Sequence, residues 1–454
     1  MTQAFSFSGK RACLLGLGVS NLAMLEFLLT RGARVTVREE REKTALPTSE
    51  EALRRRGVRL ICGKDAFANT TEEILFRSPG IRPDLPPLAA AVARGAQLLC
   101  ESQLFSYLSR ARLLAVTGSD GKTTTTALSA HILRCARRDR NTRVALGGNI
   151  GSPLITEVDR LAAADFAVAE LSSFQLMSPH RPPARAVITN ISENHLNWHR
   201  GMPEYIDAKR SLLGGGTHAI LNAENKITAS FAWERQEKTL FSSHRTHDEL
   251  TRVFGTCHTV TEEDGMLAYD KEPLFPASVI PLPGRHNLEN VMAAVALTLP
   301  YVDPSSLSAA VASFSGVAHR LQTVATVGGV RYVDSSIDST PTRTAAALSA
   351  LSCTPILLCG GRGKGLSYEP LVSAVRGRVR ALLLFGEARE DIACAMREAG
   401  EDFSSFPTMR EAVLYAKKIA QEGDTVLLSP ACTSFDEFRN FEDRGDAFCR
   451  LVKE

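Results

Sequence analysis

The stretch Thr117-Gly118-Ser119-Asp120-Gly121-Lys122-Thr123-Thr124 combines the residue types of a phosphate cradle. An apolar run at 113–116 reads as the strand before it, and Leu128, Ile132 and Leu133 recur at helical spacing after it. Glycines let backbone N–H groups approach phosphate oxygens, and the helix start adds partial positive charge. Lys122 supplies a full charge, and the Thr123 hydroxyl can ligate Mg²⁺. The loop is shorter than the common phosphate loop, because Val116 stands where that loop has its first glycine.

Such a loop needs an acid on a neighbouring strand to hold the metal. Glu170 ends the apolar run 166–169 and is suited to this role, although an acid there can also cap the helix that follows. The next run, "AVITN", delivers Asn190, Glu193, Asn194 and His195 beyond its end. His195 and His199 lie four apart but lack the helical His-Glu-x-x-His frame of a zinc site. Mg²⁺ with a triphosphate suits the oxygen-rich setting better.

A second glycine loop, Gly16-x-Gly18, lies near the start, and Glu39 follows the next apolar run. This is nearly a dinucleotide fingerprint, but Asn21 replaces the third glycine. The pattern points to a nucleotide or diphosphate more than to a nicotinamide cofactor.

These residues need elements to position them. Short apolar runs ending in Gly, Ser, Asn or an acid alternate with helical patterns nearly throughout: "ACLLGLG", "RVTV", "LLAVTG", "FAVAE", "AVITN", "HAILN", "PILLCGG", "ALLLFG" and "DTVLLSP". Buried parallel strands read this way, and the expected class is α/β with doubly wound layers, whose ligands bind beyond the carboxyl ends of strands. The 454 residues suggest about three domains, with boundaries expected near 100 and 317. The tract 226–280 is polar and weakly patterned and reads as peripheral structure.

Composition narrows the partners. A net charge of +3 from 53 basic and 50 acidic side chains gives no electrostatic case for nucleic acid or an anionic membrane. The densest basic stretch, "RCARRDRNTR", reads as a solvated helix end. No apolar run approaches the roughly 18 residues of a membrane span, and the opening residues lack a signal-peptide pattern. The 10 cysteines form no Cys-x-x-Cys pair. A reducing cytoplasm is therefore expected.

Taken together, the blocks 118–123, "ELSSFQL", "NISENHLNWH", "YIDAKRSLL", "PGRHNLEN", "GVAHR", "GGRGKG" and "SPACTSFDEFRNFEDRGDAF" resemble the Mur ligases of peptidoglycan synthesis. "ELSSFQL" and the last block are similar to the D-glutamate-adding branch. The resemblance implies three domains: 1–100, Rossmann-like, for a UDP-sugar; 101–316, with a P-loop ATPase-type parallel sheet, for ATP; and 317–454, Rossmann-like, for D-glutamate. It implies a monomer that uses ATP and Mg²⁺ to join UDP-N-acetylmuramoyl-L-alanine to D-glutamate through an acyl phosphate, with no nucleic-acid or membrane partner.

It also implies roles. Gly118, Ser119, Asp120, Gly121, Lys122, Thr123 and Thr124 would cradle the nucleotide. Thr123 and Glu170 would hold one Mg²⁺, and His195 with a carbamylated Lys209 would hold a second. Asn287, Asn290, Arg320 and Asp334 would lie on the nucleotide side, with His286 beside them; the "RHN" triplet can equally cap the helix after it. Gly18, Ser20, Glu39, Ser78 and Asn149 would contact the sugar nucleotide, and Lys364, Ser434 and Phe441 the D-glutamate carboxylates.

Two departures stand out. Asp120 occupies a position where the family usually has Asn, and the acid of "VDSSID" is shifted to Asp334, with Ile337 in a register where many relatives carry lysine. Three other readings compete: a sister ligase for another amino acid, a nucleotide-gated binding protein, and an oxidoreductase resting on Gly16, Gly18 and Glu39.

Overall fold

The structure, a computed structural model, describes residues 5–41, 49–363 and 366–454. Its contacts divide the chain into two compact units, Met1–Phe314 and Ser315–Glu454. The expected boundary near residue 100 falls inside the first unit.

That unit holds two sheets. The first is built from β1 (Arg11–Leu15), β2 (Arg34–Glu39), β3 (Arg59–Cys62), β4 (Ile74–Arg77) and β5 (Gln97–Leu99), in the order β3-β2-β1-β4-β5. All its pairings are parallel. Cys13, Leu14 and Leu15 are fully buried, as expected of a strand covered on both faces. The helix Val19–Thr30 packs Met24, Leu25 and Leu28 onto it.

The second sheet has nine strands: β6 (Arg112–Thr117), β7 (Val144–Gly148), β8 (Phe166–Glu170), β9 (Arg185–Ile188), β10 (His218–Asn222), β11 (Lys238–Ser242), β12 (His258–Glu263), β13 (Met266–Tyr269) and β14 (Glu272–Pro276). Their order is β14-β13-β12-β11-β10-β9-β6-β8-β7. Pairing is parallel from β7 to β12 and antiparallel through β13 and β14. After β6 the chain goes to the β8–β7 side, then returns to β9 on the other. The loop after β6 therefore lies at a topological switch point, where α/β sheets bind ligands.

The tract 226–280 is more than peripheral. It supplies β11, whose five residues are all buried, and the strands that extend the sheet to its far edge. Thr239, Thr259 and Thr261 are fully buried in it, and threonine at buried strand positions hides the apolar signature. The basic stretch does follow a helix, Lys122–Ala136, and Arg137 turns back to the carbonyls of Leu133 and Arg134 at its end.

The second unit is one six-stranded sheet of β15 (Gln322–Val327), β16 (Val330–Asp334), β17 (Ile356–Gly360), β18 (Ala381–Phe385), β19 (Ser404–Phe406) and β20 (Thr425–Ala431), in the order β15-β16-β20-β17-β18-β19. Only β15 is antiparallel to its neighbour. Leu357 and Leu384 are buried on one face of the sheet and Leu358 and Leu428 on the other, where the helix Phe441–Lys453 packs Phe448 against them. The fold is α/β with parallel, doubly wound sheets, as the alternating runs predict. No helix among the described residues is long and apolar enough to cross a membrane.

Candidate active site

The shortened loop is held by the strand end beside it. Thr117 and Ile188 are register partners on β6 and β9, so the two strands stop together. Asn190 accepts from the Ser119 N–H through its carbonyl (2.8 Å) and from the Asp120 N–H through its side chain (2.9 Å). The Ser119 hydroxyl bonds Ser192 and lies 2.8 Å from the Tyr205 hydroxyl. At Gly118 (φ +150°) a Cβ would overlap Thr189 Oγ1, and at Gly121 (φ +76°) it would overlap Asn290 Oδ1. Gly121 then caps the helix that begins at Lys122. Thr123 and Thr124 lie half-buried in its first turn, where backbone N–H groups lack intrahelical acceptors. Lys122 curls over the loop and donates to the Ser119 carbonyl at 2.7 Å.

Glu170 closes β8 directly beside this loop, in register with Val116 of β6 and Gly148 of β7. It is 1% exposed. Asn149 donates to its Oε1 at 2.8 Å, while Oε2 has no hydrogen-bond partner. A buried carboxylate oxygen without a donor is costly unless a cation completes it, so the donor set here fits a hard divalent metal.

The helix Met202–Arg210 brings in Lys209, which is 1% exposed. Its Nζ donates to the Gly118 carbonyl at 2.6 Å and lies 4.7 Å from the Tyr205 ring centre. Burial, then the nearby Lys122 charge, lowers this amine to about 7. His195 (φ +56°) is exposed and packs 4.9 Å from the Phe174 ring. Partial desolvation of its ring against the neighbouring side chains, then the Lys122 and Lys209 charges, hold its basicity below the usual histidine range. His199 is used differently: buried, it bonds Ser173 Oγ at 2.9 Å and Glu204 at 3.1 Å. Among the described residues no group of three His, Cys, Asp or Glu side chains forms a ready metal cluster.

The first glycine loop has a different anchor from the one its pattern predicts. Gly18 precedes the helix Val19–Thr30 and Ser20 lies in its first turn. The Asn21 amide nitrogen sits 2.7–3.1 Å from the carbonyls of Leu15, Gly16 and Phe76 and 3.2 Å from Ser78 Oγ. Asn21 therefore fills the space a third glycine would leave open. Ser78 also donates to the Gly16 carbonyl at 3.0 Å. Glu39 is buried and engaged by Leu17 N–H and the Arg41 guanidinium, each at 2.8 Å. Burial pushes its carboxyl upward, but these donors outweigh it and hold the group below its ordinary range.

On the other side of the loop after β6, Asn290 is buried in the helix Arg285–Thr298. It accepts from Thr125 at 3.3 Å and donates to Asn287 at 3.3 Å. Asn287 donates to the Pro283 carbonyl at 2.7 Å. Asn287 and Asn290 thus share one chain of contacts with the phosphate-type loop.

In the second unit, Asp334 ends β16 fully buried and bonds His319 Nδ1 at 2.7 Å. The carboxylate raises that imidazole above its ordinary value. Arg320 is exposed, Ser434 is buried beyond β20, and Phe441 starts the helix Phe441–Lys453 with its ring 6.3 Å from His319. Lys364 lies outside the described residues. Arg444, which the motif reading passes over, organises this end of the sheet. Fully buried, it donates to Ser336 Oγ (3.0 Å) and to the carbonyls of Ser336 (2.9 Å), Cys432 (3.1 Å) and Thr433 (3.0 Å). Burial lowers its guanidinium to about 10.

A strand-borne phosphate-type loop, a buried acid short of one donor and a buried lysine of low basicity define a nucleotide-dependent transferase or ligase site on a three-sheet α/β chain. Comparison with known proteins gives the family. The Mur ligase MurD-like N-terminal domain matches residues 10–100, the Mur ligase middle domain 116–298, and the Mur ligase glutamate ligase domain 319–432. The chain is 38% identical to UDP-N-acetylmuramoylalanine--D-glutamate ligase of Ruminiclostridium cellulolyticum, over 98% of this chain and 96% of the relative. It is also 38% identical to the same-named enzyme of Symbiobacterium thermophilum, over 98% of each. Among solved structures, UDP-N-acetylmuramate-alanine ligase of Thermotoga maritima is similar in fold, with a TM-score of 0.57 at 18% identity over 98% of this chain and 99% of that one. The chain belongs to the Mur ligase family, in its UDP-N-acetylmuramoylalanine--D-glutamate ligase branch.

Proposed function

We propose that this chain forms the amide between the carboxylate of UDP-N-acetylmuramoyl-L-alanine and the amine of D-glutamate, using ATP, during cytoplasmic synthesis of peptidoglycan precursors. The substrate carboxylate oxygen attacks the γ-phosphorus, displacing ADP and leaving an acyl phosphate. The D-glutamate amine then adds to the acyl carbon. Loss of a proton and of phosphate from the tetrahedral intermediate completes the amide.

Both steps bring like charges together, and fixed cations must offset that repulsion. Lys122 and the amides of 118–124 serve the phosphates, with Asn287, Asn290, Arg320 and Asp334 on the nucleotide side. Bound Mg²⁺ supplies further charge screening at phosphate and carboxylate, with Thr123 and Glu170 as donors for one ion, and His195 and Lys209 for a second. In this reading the neutral Lys209 amine attacks CO₂ and loses a proton, giving a carbamate whose anionic oxygens suit Mg²⁺. Gly18, Ser20, Glu39, Ser78 and Asn149 serve the sugar nucleotide; Lys364, Ser434 and Phe441 serve D-glutamate. The three ligand-bearing parts are 1–100, 101–316 and 317–454, with closure at hinges near 100 and 317 before chemistry. The protein works as a monomer, and its ten free cysteines suit a reducing compartment.

The observation that carries the reading is the Glu170 oxygen without a donor beside a glycine loop contacted by Lys122 and Lys209. A coupled assay with ATP, Mg²⁺, UDP-N-acetylmuramoyl-L-alanine and D-glutamate tests it, each component omitted in turn. Amide and phosphate should form only in the complete mixture. Phosphate release independent of both acceptor and amino acid would sink it.

A further inference from the structure

The segment after β4 meets two functional stretches at once. At one end, Ser78 touches the Gly16 carbonyl of the first glycine loop, and a Cβ at Gly16 would press on Ser78 and Ile81 at 3.0 Å. Four residues on, Arg82 reaches across to the segment between His195 and Lys209. All five of its N–H groups find acceptors: Asp84 at 2.8 and 2.9 Å, Glu204 at 2.8 and 3.0 Å, and the Trp198 carbonyl at 2.7 Å. Trp198 returns the contact. Its indole N–H donates to the Gly80 carbonyl at 2.8 Å, and its ring lies 5.0 Å beneath the guanidinium. Arg200 also pairs with Asp84.

Two of these three acceptors, the Trp198 carbonyl and Glu204, are tied to a candidate catalytic group. The N–H groups of Trp198 and His199 both bond the His195 carbonyl at 3.0 Å, so the Trp198 carbonyl belongs to the same turn as His195. Glu204 lies in the first turn of the helix that carries Lys209, and also receives His199 and the Arg200 N–H. A planar, five-donor side chain satisfied at every position fixes orientation as well as distance.

We infer that Arg82, clasped by Trp198 and Glu204, is a positioning residue that couples occupation of the sugar-nucleotide loop at 78–81 to the placement of His195 and Lys209. This rests on the activity given above. When the loop closes on its ligand, the guanidinium draws the Trp198 turn and the Glu204 helix end with it. A lysine at 82 keeps the charge but cannot span both carboxylates and the carbonyl.

Trp198 provides a readout of its own. The chain has two tryptophans, and Trp233→Phe leaves Trp198 as the sole tryptophan, excited selectively at wavelengths too long for the tyrosines to absorb appreciably. In that background, UDP-N-acetylmuramoyl-L-alanine alone should change Trp198 emission, and the full reaction should give amide. Arg82→Lys should abolish the emission change and lower kcat at least tenfold, with KM for ATP within twofold. Arg82→Met, Glu204→Gln and their double mutant should lose kcat by similar factors, showing that the pair acts as one unit. Trp198→Phe, which keeps an aromatic ring but removes the indole N–H and narrows the surface beneath the guanidinium, should lower kcat about fivefold and covers the case of an unstable Arg82 variant. Wild-type-like kcat with an intact emission change in Arg82→Lys overturns the coupling while leaving the ligase activity standing. A wild-type enzyme that yields no amide removes both.

Discussion

Asn149 holds one oxygen of Glu170 and leaves the other bare: the side-chain amide donates to Oε1 at 2.8 Å, and the buried Oε2 has no donor. In the proposed function the oxygen oriented by the protein positions the carboxylate, and the bare one would meet the cation. Glu170→Gln, which replaces an acceptor with a donor, should lower amide formation at least 100-fold and remove the rise in activity with Mg²⁺ concentration. Asn149→Ala should shift the Mg²⁺ midpoint upward about tenfold with smaller loss of kcat. Unchanged metal titrations in both variants would exclude the assignment.

Lys209 should react with CO₂. Its amine is lowered to about 7, so the neutral, nucleophilic form grows as pH rises through that value. A ¹³C-carbamate resonance should appear with labelled bicarbonate at pH 8, weaken at pH 6, and be missing from Lys209→Ala, whose turnover should drop at least 100-fold. Wild-type turnover in Lys209→Ala at low and high bicarbonate would end the idea.

Gly121 and Asn290 compete for one space. Gly121→Ala adds a methyl where Asn290 Oδ1 already lies and forces a side chain into φ +76°. Strain of this kind costs on the order of 1–3 kcal/mol. ATP binding measured by calorimetry should weaken at least tenfold. Adding Asn290→Ala should recover only part, because the overlap is relieved and the backbone strain remains.

Glu101 gives a pH signature away from the site. It is buried, with Oε1 accepting from the Ile155 N–H at 2.8 Å and Oε2 unpartnered. Burial raises its carboxyl from 4.5 to about 7. Below pH 4.5 both folded and unfolded chains hold this proton. Between the two values only the unfolded chain releases it, so stability falls as pH rises, by up to about 3 kcal/mol in all, and is flat above. Glu101→Gln should flatten that slope in thermal melts between pH 5 and 8. An unchanged slope would show that the group ionises freely.

Arg444 should act on the amino-acid side. Arg444→Met strips donors from the Ser336, Cys432 and Thr433 carbonyls, next to Ser434. KM for D-glutamate should rise at least tenfold while KM for ATP stays within twofold. Equal changes in both would point to general unfolding instead.

Much of this was readable in the letters. The runs "LLAVTG", "FAVAE" and "AVITN" are β6, β8 and β9, since parallel strands buried on both faces need unbroken apolar runs. Glu170 and the loop at 118–121 follow from where those runs stop. Other features escaped because their meaning depends on partners far along the chain. Arg82 and Glu204 are 122 positions apart and Arg444 and Ser336 are 108, and no local pattern marks either pair. Asn21 looked like a missing glycine, whereas it is a multiple hydrogen-bond anchor. β11 and β12 were hidden by buried threonines and by Lys238, whose ammonium reaches backbone carbonyls.

The position of Arg444 also bears on how the protein is made. The loops after β16 and β20 both leave the ribosome before the helix whose arginine stitches them together. Gly445, beside it, admits no side chain, because a Cβ would overlap His319 Nδ1 and lie 2.6 Å from Asp334 Oδ2. During vectorial synthesis those two loops therefore precede the side chain that joins them, and this end of the sheet is complete only once the last helix has emerged.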